Sequence, residues 1–419
     1  MANTDDKTNQ DDPVRLLFVG APMLDISADC DDDLLRRFGL KEDDCVRAGP
    51  EHDPLFQRLF VSDESRMAAG GSAQNAARVA KWTLGPRGEV AFAGCAGFDD
   101  FESWMRLKLE SEGVIPLYVH DPMNNTGVCA CLLTPRGERS MCARQGAAAL
   151  FNTHHLNTDV IQQHFRKAHC VAVEGYFIVH SPDVVLEMAQ NHNLDQIFSL
   201  SLSAEYVCRS HAEQLSKVIP MVEVLMGNEA EVLTFAIAKG ASKDVTVEEA
   251  VRILREIQIS RTSHNRFLIV TRGSKPVILV DESNELKEFD VPNDLPVVDS
   301  VGCGDAMSGA FLATYVLDRN VEAAVRAGIQ AATHILQVPG CDPTMELAKT
   351  ASTISLRRCV SKNVAEVDSV GCGDAKSGAF LGTYVLDRDV EAEVRESTQP
   401  AALILQERRY GSLPYILPN

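Results

Sequence analysis

A short glycine-rich turn contains the residues best suited to chemistry. Residues 299–305 read Asp-Ser-Val-Gly-Cys-Gly-Asp, and an apolar stretch typical of a packed helix follows them. Glycines let the backbone approach a ligand closely, and the first N–H groups of a helix bind anions. An aspartate there makes sense if Asp305 takes a proton from a hydroxyl that attacks a phosphoryl group, with turn amides stabilising the phosphate charge. A plain capped turn would have the same residues, so this motif does not decide alone.

Apolar runs elsewhere predict the elements that must position this turn. Continuous apolar runs that end at glycine or proline are typical of buried parallel strands, and helical spacing appears at 247–257. The strand candidates are 15–20, 90–97, 170–177, 197–202, 222–227, 267–273 and 276–280. Strands that alternate with helices predict a doubly wound, mostly parallel sheet. Residues 127–143 are interpreted instead as a small antiparallel flap.

Polar residues follow the first strand and open the first long helix. Asp25 comes after the strand at 15–20, at the edge where ligands bind in open α/β sheets. It could cap a turn or accept hydrogen bonds from ligand hydroxyls. Two glycines at 70 and 71 then open a helix whose first turn presents Ser72 and Asn75.

Composition limits the classes of function. The chain has 419 residues, with 40 lysines and arginines, 59 aspartates and glutamates, and a net charge of -19. This balance argues against nucleic acid or an anionic membrane as the main partner. The twelve cysteines form no Cys-x-x-Cys pair, and residues 1–12 are polar and acidic, without the apolar core of a signal peptide. We therefore expect a disordered tail at 1–12, no membrane span and a reducing, cytoplasmic environment.

Five motifs together resemble the ribokinase-like carbohydrate kinase family. They are Gly-Ala-Pro-Met-Leu-Asp at 20–25, Gly-Gly-Ser-Ala-Gln-Asn at 70–75, Asn-Glu-Ala-Glu at 228–231, Thr-Arg-Gly at 271–273 and the turn at 299–305. Their order and spacing make the resemblance specific, and it covers roughly residues 13–346. Segments 175–177, 199–204 and 338–341 are more similar to the members that phosphorylate adenosine than to the sugar kinases.

The resemblance implies a fold, a reaction and a set of partners. The fold would be an αβα three-layer domain over 13–346, with a mostly parallel doubly wound sheet and a small β lid from segments about 23–70 and 118–145. The reaction would be phosphorylation of the adenosine 5′-hydroxyl by ATP with Mg²⁺, giving AMP and ADP in purine salvage. The expected partners are adenosine and ATP, without nucleic acid or membrane. The expected state is a cytoplasmic monomer, with a nuclear pool also allowed.

The resemblance also implies roles for individual residues. Asp305 would be the catalytic base, and the anion hole would be formed by amides of Gly302, Cys303 and Gly304. The nucleoside contacts would come from Asp25, Gly71, Ser72, Asn75, Phe177 and Tyr206. The phosphate and ATP contacts would come from Arg139, Asn228, Glu231, Thr271 and Gly273, and Glu231 would also help to place Mg²⁺ through water.

Two other functions fit the same motifs. One is phosphorylation of a different nucleoside or of a sugar, which a panel of substrates would distinguish. The other is nucleoside binding by a catalytically impaired homologue whose tail covers the site. Such a protein would bind adenosine without releasing ADP.

Residues 368–406 repeat residues 299–337, with about three quarters of the positions identical. A second glycine-rich turn suggests a second active site. The first copy follows a full set of strands, however, and the second copy has Glu393 and Pro400 at positions that are apolar in the first. A proline inside a helix costs about 3 kcal/mol or more, and an unpaired buried carboxylate is also costly. We therefore interpret 347–419 as a C-terminal extension that holds a degenerate repeat, and we leave open whether it docks or regulates.

Replacing either aspartate tests which copy works. Asp305→Asn should abolish turnover, whereas Asp374→Asn should not change it, because the second turn lacks the preceding strands. A chain that ends at Glu346 should also fold and turn over, since every motif named above precedes that residue. The measurement is ADP release by the full-length, truncated and two substituted proteins. A truncated protein that is soluble but inactive would contradict this assignment.

Overall fold

The computed structural model describes residues 13–41, 45–134, 139–260, 266–281, 285–293 and 295–345. The tail expected at 1–12 and the extension expected at 347–419, with its repeat, lie outside these residues. Within the described ranges, no helix is long and apolar enough to cross a lipid bilayer.

Strands and helices alternate along much of the described chain, as the apolar runs predict. The strands are β1 (Val14–Val19), β2 (Met23–Asp29), β3 (Cys45–Arg47), β4 (Arg66–Gly70), β5 (Gly88–Ala96), β6 (Val114–His120), β7 (Gly127–Leu133), β8 (Arg139–Arg144), β9 (Cys170–Glu174), β10 (Ile197–Ser201), β11 (Val224–Asn228), β12 (Phe267–Arg272), β13 (Lys275–Val280) and β14 (Leu286–Phe289). The helices are α1 (Asp32–Arg37), α2 (Asp53–Phe60), α3 (Ser72–Leu84), α4 (Asp100–Ser111), α5 (Thr153–Leu156), α6 (Asp159–Lys167), α7 (Gly175–His180), α8 (Pro182–Asn191), α9 (Glu205–Ser210), α10 (Ala212–Val218), α11 (Glu229–Ala238), α12 (Val247–Glu256), α13 (Cys303–Asp318) and α14 (Val321–Ile335).

The larger sheet has nine strands in the order β14-β13-β12-β11-β10-β9-β1-β5-β6. Pairing is parallel from β12 to β6 and antiparallel between β12, β13 and β14. From β1 the chain adds β5 and β6 on one side, and it then crosses to β9 on the other side of β1, so the strand order reverses between β1 and β9. Ligands bind at such a reversal in open α/β sheets. The predicted fold class, a mostly parallel doubly wound sheet, is confirmed.

A second sheet has five strands in the order β3-β8-β7-β2-β4. β7 and β8 form the antiparallel flap expected at 127–143, but β2 pairs in parallel with β7, and β3 pairs in parallel with β8, so the whole sheet is mixed. Successive side chains of a strand point to opposite faces. Leu24 and Ile26 of β2 are buried in the core, and Asp25 therefore lies on the other face of this sheet.

The same alternation along β1 divides the apolar core of the larger sheet. Leu16 and Phe18 belong to a cluster with residues of α3, α4 and α13. Leu17 and Val19 belong to a second cluster with residues of α6, α8 and α11. Both faces of β1 are therefore covered, as in a three-layer α/β domain.

A buried ion pair fixes α3 to its surroundings. Arg78 is 1% exposed, and its guanidinium donates to both carboxylate oxygens of Glu112, at 2.5 and 2.8 Å. It also donates to the carbonyl oxygens of Ala69 at 3.1 Å and Cys341 at 2.8 Å. One side chain thus joins α3 to β4, to the end of α4 and to the segment after α14.

Arg78→Met should destabilise the protein, because Glu112 stays buried and keeps Lys108, at 2.9 Å, but loses both bonds from the guanidinium. Breaking a buried ion pair costs about 3–5 kcal/mol, and the contact with Lys108 places the expected loss near the lower end. Urea unfolding measures it. The double variant Arg78→Met/Glu112→Leu should recover part of the loss, since the carboxylate is then removed as well. A single variant as stable as the parent would refute this role.

Candidate active site

The glycine-rich turn leads into α13, whose first turn presents Asp305. Gly302 precedes the helix with a φ of 81°, and a Cβ there would lie 2.5 Å from the Cβ of Cys341. Both the positive φ and the lack of space exclude a side chain at this position. Among the described residues, no heavy atom lies within 4 Å of the place that a Cβ of Gly304 would take, so that side of the turn is open.

Two side chains of α3 hold the Asp305 carboxylate. Ser72 Oγ donates to Oδ1 at 2.6 Å, and Asn75 Nδ2 donates to Oδ2 at 3.0 Å. The helix begins directly after Gly71, which has a φ of 93°, and a Cβ there would lie 2.2 Å from the carbonyl oxygen of Ala21. The glycine therefore lets α3 start close to the residue that follows β1 and bring its first turn to Asp305.

Asp25 approaches the same place from the second sheet. Its carboxylate lies against Gly70, where a Cβ would be 2.0 Å from Oδ2. Burial and the negative charge of Asp305 raise the pKa of Asp25 to about 7, against the effect of the Arg78 charge. Burial also raises the pKa of Asp305, although its two hydrogen bonds act in the opposite direction. Two partly buried acidic groups therefore lie within electrostatic range of each other.

Asn75 has a buried oxygen that suits a ligand donor. Within the described chain, Oδ1 of Asn75 is buried and accepts no hydrogen bond. Buried polar atoms are normally paired, so the hydroxyl of a ligand is a suitable partner. A cleft next to Asp305 is lined by Ser72, Glu174, Ser201 and Ser308.

Glu174 is a site residue that sequence reasoning missed. It ends β9, is 3% exposed, and accepts the N–H of Ala21 with Oε1 at 2.8 Å and that of Ala73 with Oε2 at 2.6 Å. Burial raises the pKa of Glu174 to about 7, the two backbone hydrogen bonds lower it, and the charge of Asp305 adds to the rise. The signal in the sequence is a glutamate within the apolar run at 170–177.

The structure does not bring together the two aromatic residues expected to flank a base. Phe177 is 1% exposed and packs edge-to-face on Phe151, with ring centroids 5.6 Å apart, in the core on one face of the larger sheet. Tyr206 instead lies beside Tyr176, with ring centroids 6.1 Å apart. Burial raises the pKa of Tyr176, and the nearby Tyr206 and Asp305 raise it further. Tyr176 is therefore the ring partner of Tyr206 and lies within electrostatic range of Asp305.

The cause of this difference is the position where β9 ends. The sequence predicts a strand over 170–177, but the strand ends at Glu174 and α7 begins at Gly175. The side-chain period changes there from two residues to 3.6. The change places Phe177 in the core and leaves Tyr176 partly exposed.

Asn228 and Glu231 form a reciprocal cap at the start of α11. Asn228 Oδ1 accepts the N–H of Glu231 at 2.8 Å, and Glu231 Oε2 accepts the N–H of Asn228 at 2.9 Å. Asn228 Nδ2 also donates to Glu231 Oε1 at 2.7 Å. Burial raises the pKa of Glu231, its bond with the Asn228 backbone lowers it, and the charges of Glu205 and Asp305 raise it. The motif is thus a capping box whose carboxylate lies within electrostatic range of Asp305.

Thr271 and Gly273 lie beside this cap, at the carboxyl end of β12. Thr271 pairs with Asn228, and Gly273 has a φ of 63° in the turn before β13. Arg139 is the first residue of β8, and its side chain lies outside the described part of the structure. In the part of the chain that the structure describes, no group of three or more His, Cys, Asp and Glu residues could hold a metal ion.

Comparison with known proteins decides the family. The model of the pfkB family of carbohydrate kinases matches residues 35–348. The chain belongs to this family. Adenosine kinase 1 of Arabidopsis thaliana is 31% identical to it over 333 residues, which cover 78% of this chain and 95% of the relative. Adenosine kinase of Schizosaccharomyces pombe is 30% identical, with 76% of this chain and 93% of the relative covered.

Solved structures of pfkB-like kinases agree with the fold. Anopheles gambiae adenosine kinase, in complex with P1,P4-di(adenosine-5) tetraphosphate, has a TM-score of 0.69 and 33% identity, and covers 80% of this chain and 98% of its own. Trypanosoma brucei brucei adenosine kinase has a TM-score of 0.72 over 78% of this chain and all of its own, and at 24% identity it supports the fold alone. The resemblance found in the five motifs is confirmed. As a member of the pfkB family, this chain is a phosphotransferase that acts on a hydroxyl group.

The raised pKa of Asp25 makes its negative charge unfavourable to the fold. The pKa is about 7 in the folded chain against an ordinary value of 3.8, so the folded state binds more protons between these values and stability falls as the pH rises. Asp25→Asn removes this ionisation and should raise Tm at pH 8 by roughly 2 °C or more. The gain should shrink as the pH is lowered toward 5.

Calorimetric scans across this pH range measure the effect of Asp25→Asn. The control is Asp29→Asn, an exposed position on the same strand, which should leave Tm at pH 8 unchanged. A parent protein more stable than Asp25→Asn at pH 8 would show that the Asp25 charge is well accommodated.

Proposed function

We propose that this protein is an adenosine kinase, which transfers the γ-phosphoryl group of ATP to the adenosine 5′-hydroxyl and gives AMP and ADP in purine salvage. The observation that carries the proposal is the Asp305 carboxylate, placed in the first turn of α13 and held by Ser72 and Asn75 at 2.6 and 3.0 Å. Similarity to adenosine kinases over most of their length supports the substrate. It does not favour the alternatives of a sugar kinase or an impaired homologue.

Asp305 is the proposed base. Ser72 and Asn75 each donate to one of its oxygens, which fixes the carboxylate and leaves lone pairs for a substrate hydroxyl. Burial raises the pKa of Asp305 and so makes it a better proton acceptor, while the two hydrogen bonds favour its ionised form. As the 5′-oxygen bonds to the γ-phosphorus, its proton passes to Asp305 and the bond to the departing ADP oxygen breaks.

The amides of Gly302, Cys303 and Gly304 are proposed to stabilise the transferring phosphate. The N–H of Cys303 donates within the turn to the Ser300 carbonyl at 3.4 Å, a long bond that a phosphate oxygen could replace. The open side of Gly304 leaves space for the phosphate. The N-terminus of α13 adds a favourable potential for negative charge.

The nucleoside contacts are proposed on the two elements that meet Asp305. Asp25 and the buried Oδ1 of Asn75 would accept hydrogen bonds from the ribose hydroxyls, next to the backbone of Gly71. Tyr176 and Tyr206 would lie against the adenine, and Tyr176 takes the place that the sequence assigned to Phe177.

The ATP contacts are proposed at the carboxyl ends of β11 and β12, from Asn228, Thr271 and Gly273, with Arg139 reaching the phosphates. Mg²⁺ prefers oxygen ligands and keeps several waters, and the buried Glu231 carboxylate fits contact with it through water. When bound, Mg²⁺ neutralises charge on the phosphates. The role of this chain is to hold Glu231 in place through its cap with Asn228.

The domain organisation is also proposed. Residues 13–346 would form the kinase domain, with the second sheet as its lid, and 347–419 would be an extension that catalysis does not need. The protein would act as a monomer in the cytoplasm.

A substrate panel tests the function. Purified protein with Mg-ATP should release ADP fastest with adenosine, and more slowly with inosine, ribose or fructose. Asp305→Asn should lower kcat by about a hundredfold or more, while calorimetry shows adenosine binding largely retained. Asp318→Asn, exposed at the far end of the same helix, should leave kcat unchanged. A better sugar substrate would overturn the assigned substrate, and full kcat in Asp305→Asn would overturn the base.

A further inference from the structure

Glu174 lies where the strand order of the larger sheet reverses, and the reaction above does not use it. β9 ends with this residue and pairs with β1. The side chain is almost fully buried, yet both of its oxygens accept hydrogen bonds from backbone N–H groups, those of Ala21 and Ala73. A carboxylate that accepts two such bonds is strongly held.

The residues around the carboxylate leave little room for anything larger. A Cβ at Gly20 would lie 2.7 Å from the Glu174 carboxyl carbon and 2.6 Å from the Cβ of Ala73. Glycine at 20 is therefore needed to admit both the glutamate and the side chain of Ala73.

The two N–H groups belong to the two elements that carry the proposed nucleoside contacts. Ala21 lies in the connection from β1 to β2, and β2 carries Asp25. Ala73 lies in the first turn of α3, between Ser72 and Asn75. One carboxylate therefore ties the segment that leads to Asp25 to the turn that holds Asp305.

We propose that Glu174 is a positioning residue for phosphoryl transfer, which sets the distance between Asp25 and the pair Ser72 and Asn75. The proposal rests on the proposed adenosine kinase function. Glu174 contacts the substrate-binding elements through their backbone and does not take the proton of the hydroxyl. If its hydrogen bonds were lost, Asp25 would move relative to α3, and the ribose hydroxyls would meet only part of their partners.

Glu174→Gln tests this with little change of volume. A glutamine has one acceptor oxygen, so one of the two buried N–H groups loses its partner. The KM for adenosine should rise about tenfold, because a displaced Asp25 loses roughly one hydrogen bond to the ribose, while the KM for ATP stays within about twofold. Without any substrate, hydrogen–deuterium exchange should become faster in peptides that cover 20–25 and 70–75.

The matched control is Glu223→Gln. Glu223 is also fully buried and accepts a hydrogen bond from Tyr315 Oη at 3.3 Å. It directly precedes β11, however, and so lies at the amino end of a parallel strand, whereas Glu174 lies at the carboxyl end of one. This variant should leave the KM for adenosine and the exchange of both peptides unchanged. A loss of stability common to both variants is then separated from a local effect on the site.

The outcomes test the positioning role of Glu174 separately from the proposed adenosine kinase function. Unchanged exchange and unchanged KM in Glu174→Gln would overturn the positioning role. If Glu174→Gln does not fold, Glu174→Asp is measured, and failure of both while Glu223→Gln folds would show a role in folding alone and also overturn it. If the parent does not phosphorylate adenosine, the proposed function fails, whereas the exchange data still report whether Glu174 holds the two segments.

Discussion

Three carboxylates lie close together at one end of the β1–β9 pair, and much of the structure serves to hold them there. Asp25 comes from the second sheet, Glu174 from β9 and Asp305 from α13, and burial raises the pKa of each. Backbone N–H groups hold Glu174, and two side chains of α3 hold Asp305. The proposed base and the proposed acceptor for ribose hydroxyls are thereby kept close together at a partly buried site.

Such a site is costly to the fold, and other parts of the chain offset the cost. Arg78 lies on the same helix as Ser72 and Asn75, and its buried pair with Glu112 fixes α3 to three neighbouring segments. Its positive charge also lowers the pKa of Asp25. The apolar clusters on both faces of the larger sheet supply the remaining stabilisation. The helix α3 thus carries both the buried ion pair and the two residues that hold Asp305.

The sequence predicts much of the larger sheet because continuous apolar runs are typical of buried strands. The run at 276–280 nevertheless forms β13, which pairs antiparallel with both of its neighbours. It singles out Asp305 through the glycine-rich turn and the four other motifs together, and the role of Asp305 as the base stays a prediction. It could not predict that Glu174 ends β9, since a glutamate inside an apolar run does not reveal which atoms it meets. The strand expected at 170–177 is too long for a related reason, because the sequence does not show that a helix begins at Gly175. The contact of Asp305 with Ser72 joins residues 233 positions apart, which no local pattern encodes.

That long-range contact limits how the active site can be inherited. Duplicating 299–337 copies the glycine-rich turn, but Ser72 and Asn75, which hold the aspartate, are encoded far upstream and occur in a Gly-Gly-Ser-Ala-Gln-Asn motif found once in the chain. A tandem copy of the downstream segment alone thus arises without the partners of its own aspartate. If only the first copy catalyses, as proposed, substitutions such as Pro400 in the second copy can accumulate without loss of activity. Under this proposal, a second working site would need a copy of the upstream helix α3 as well as a copy of the glycine-rich turn.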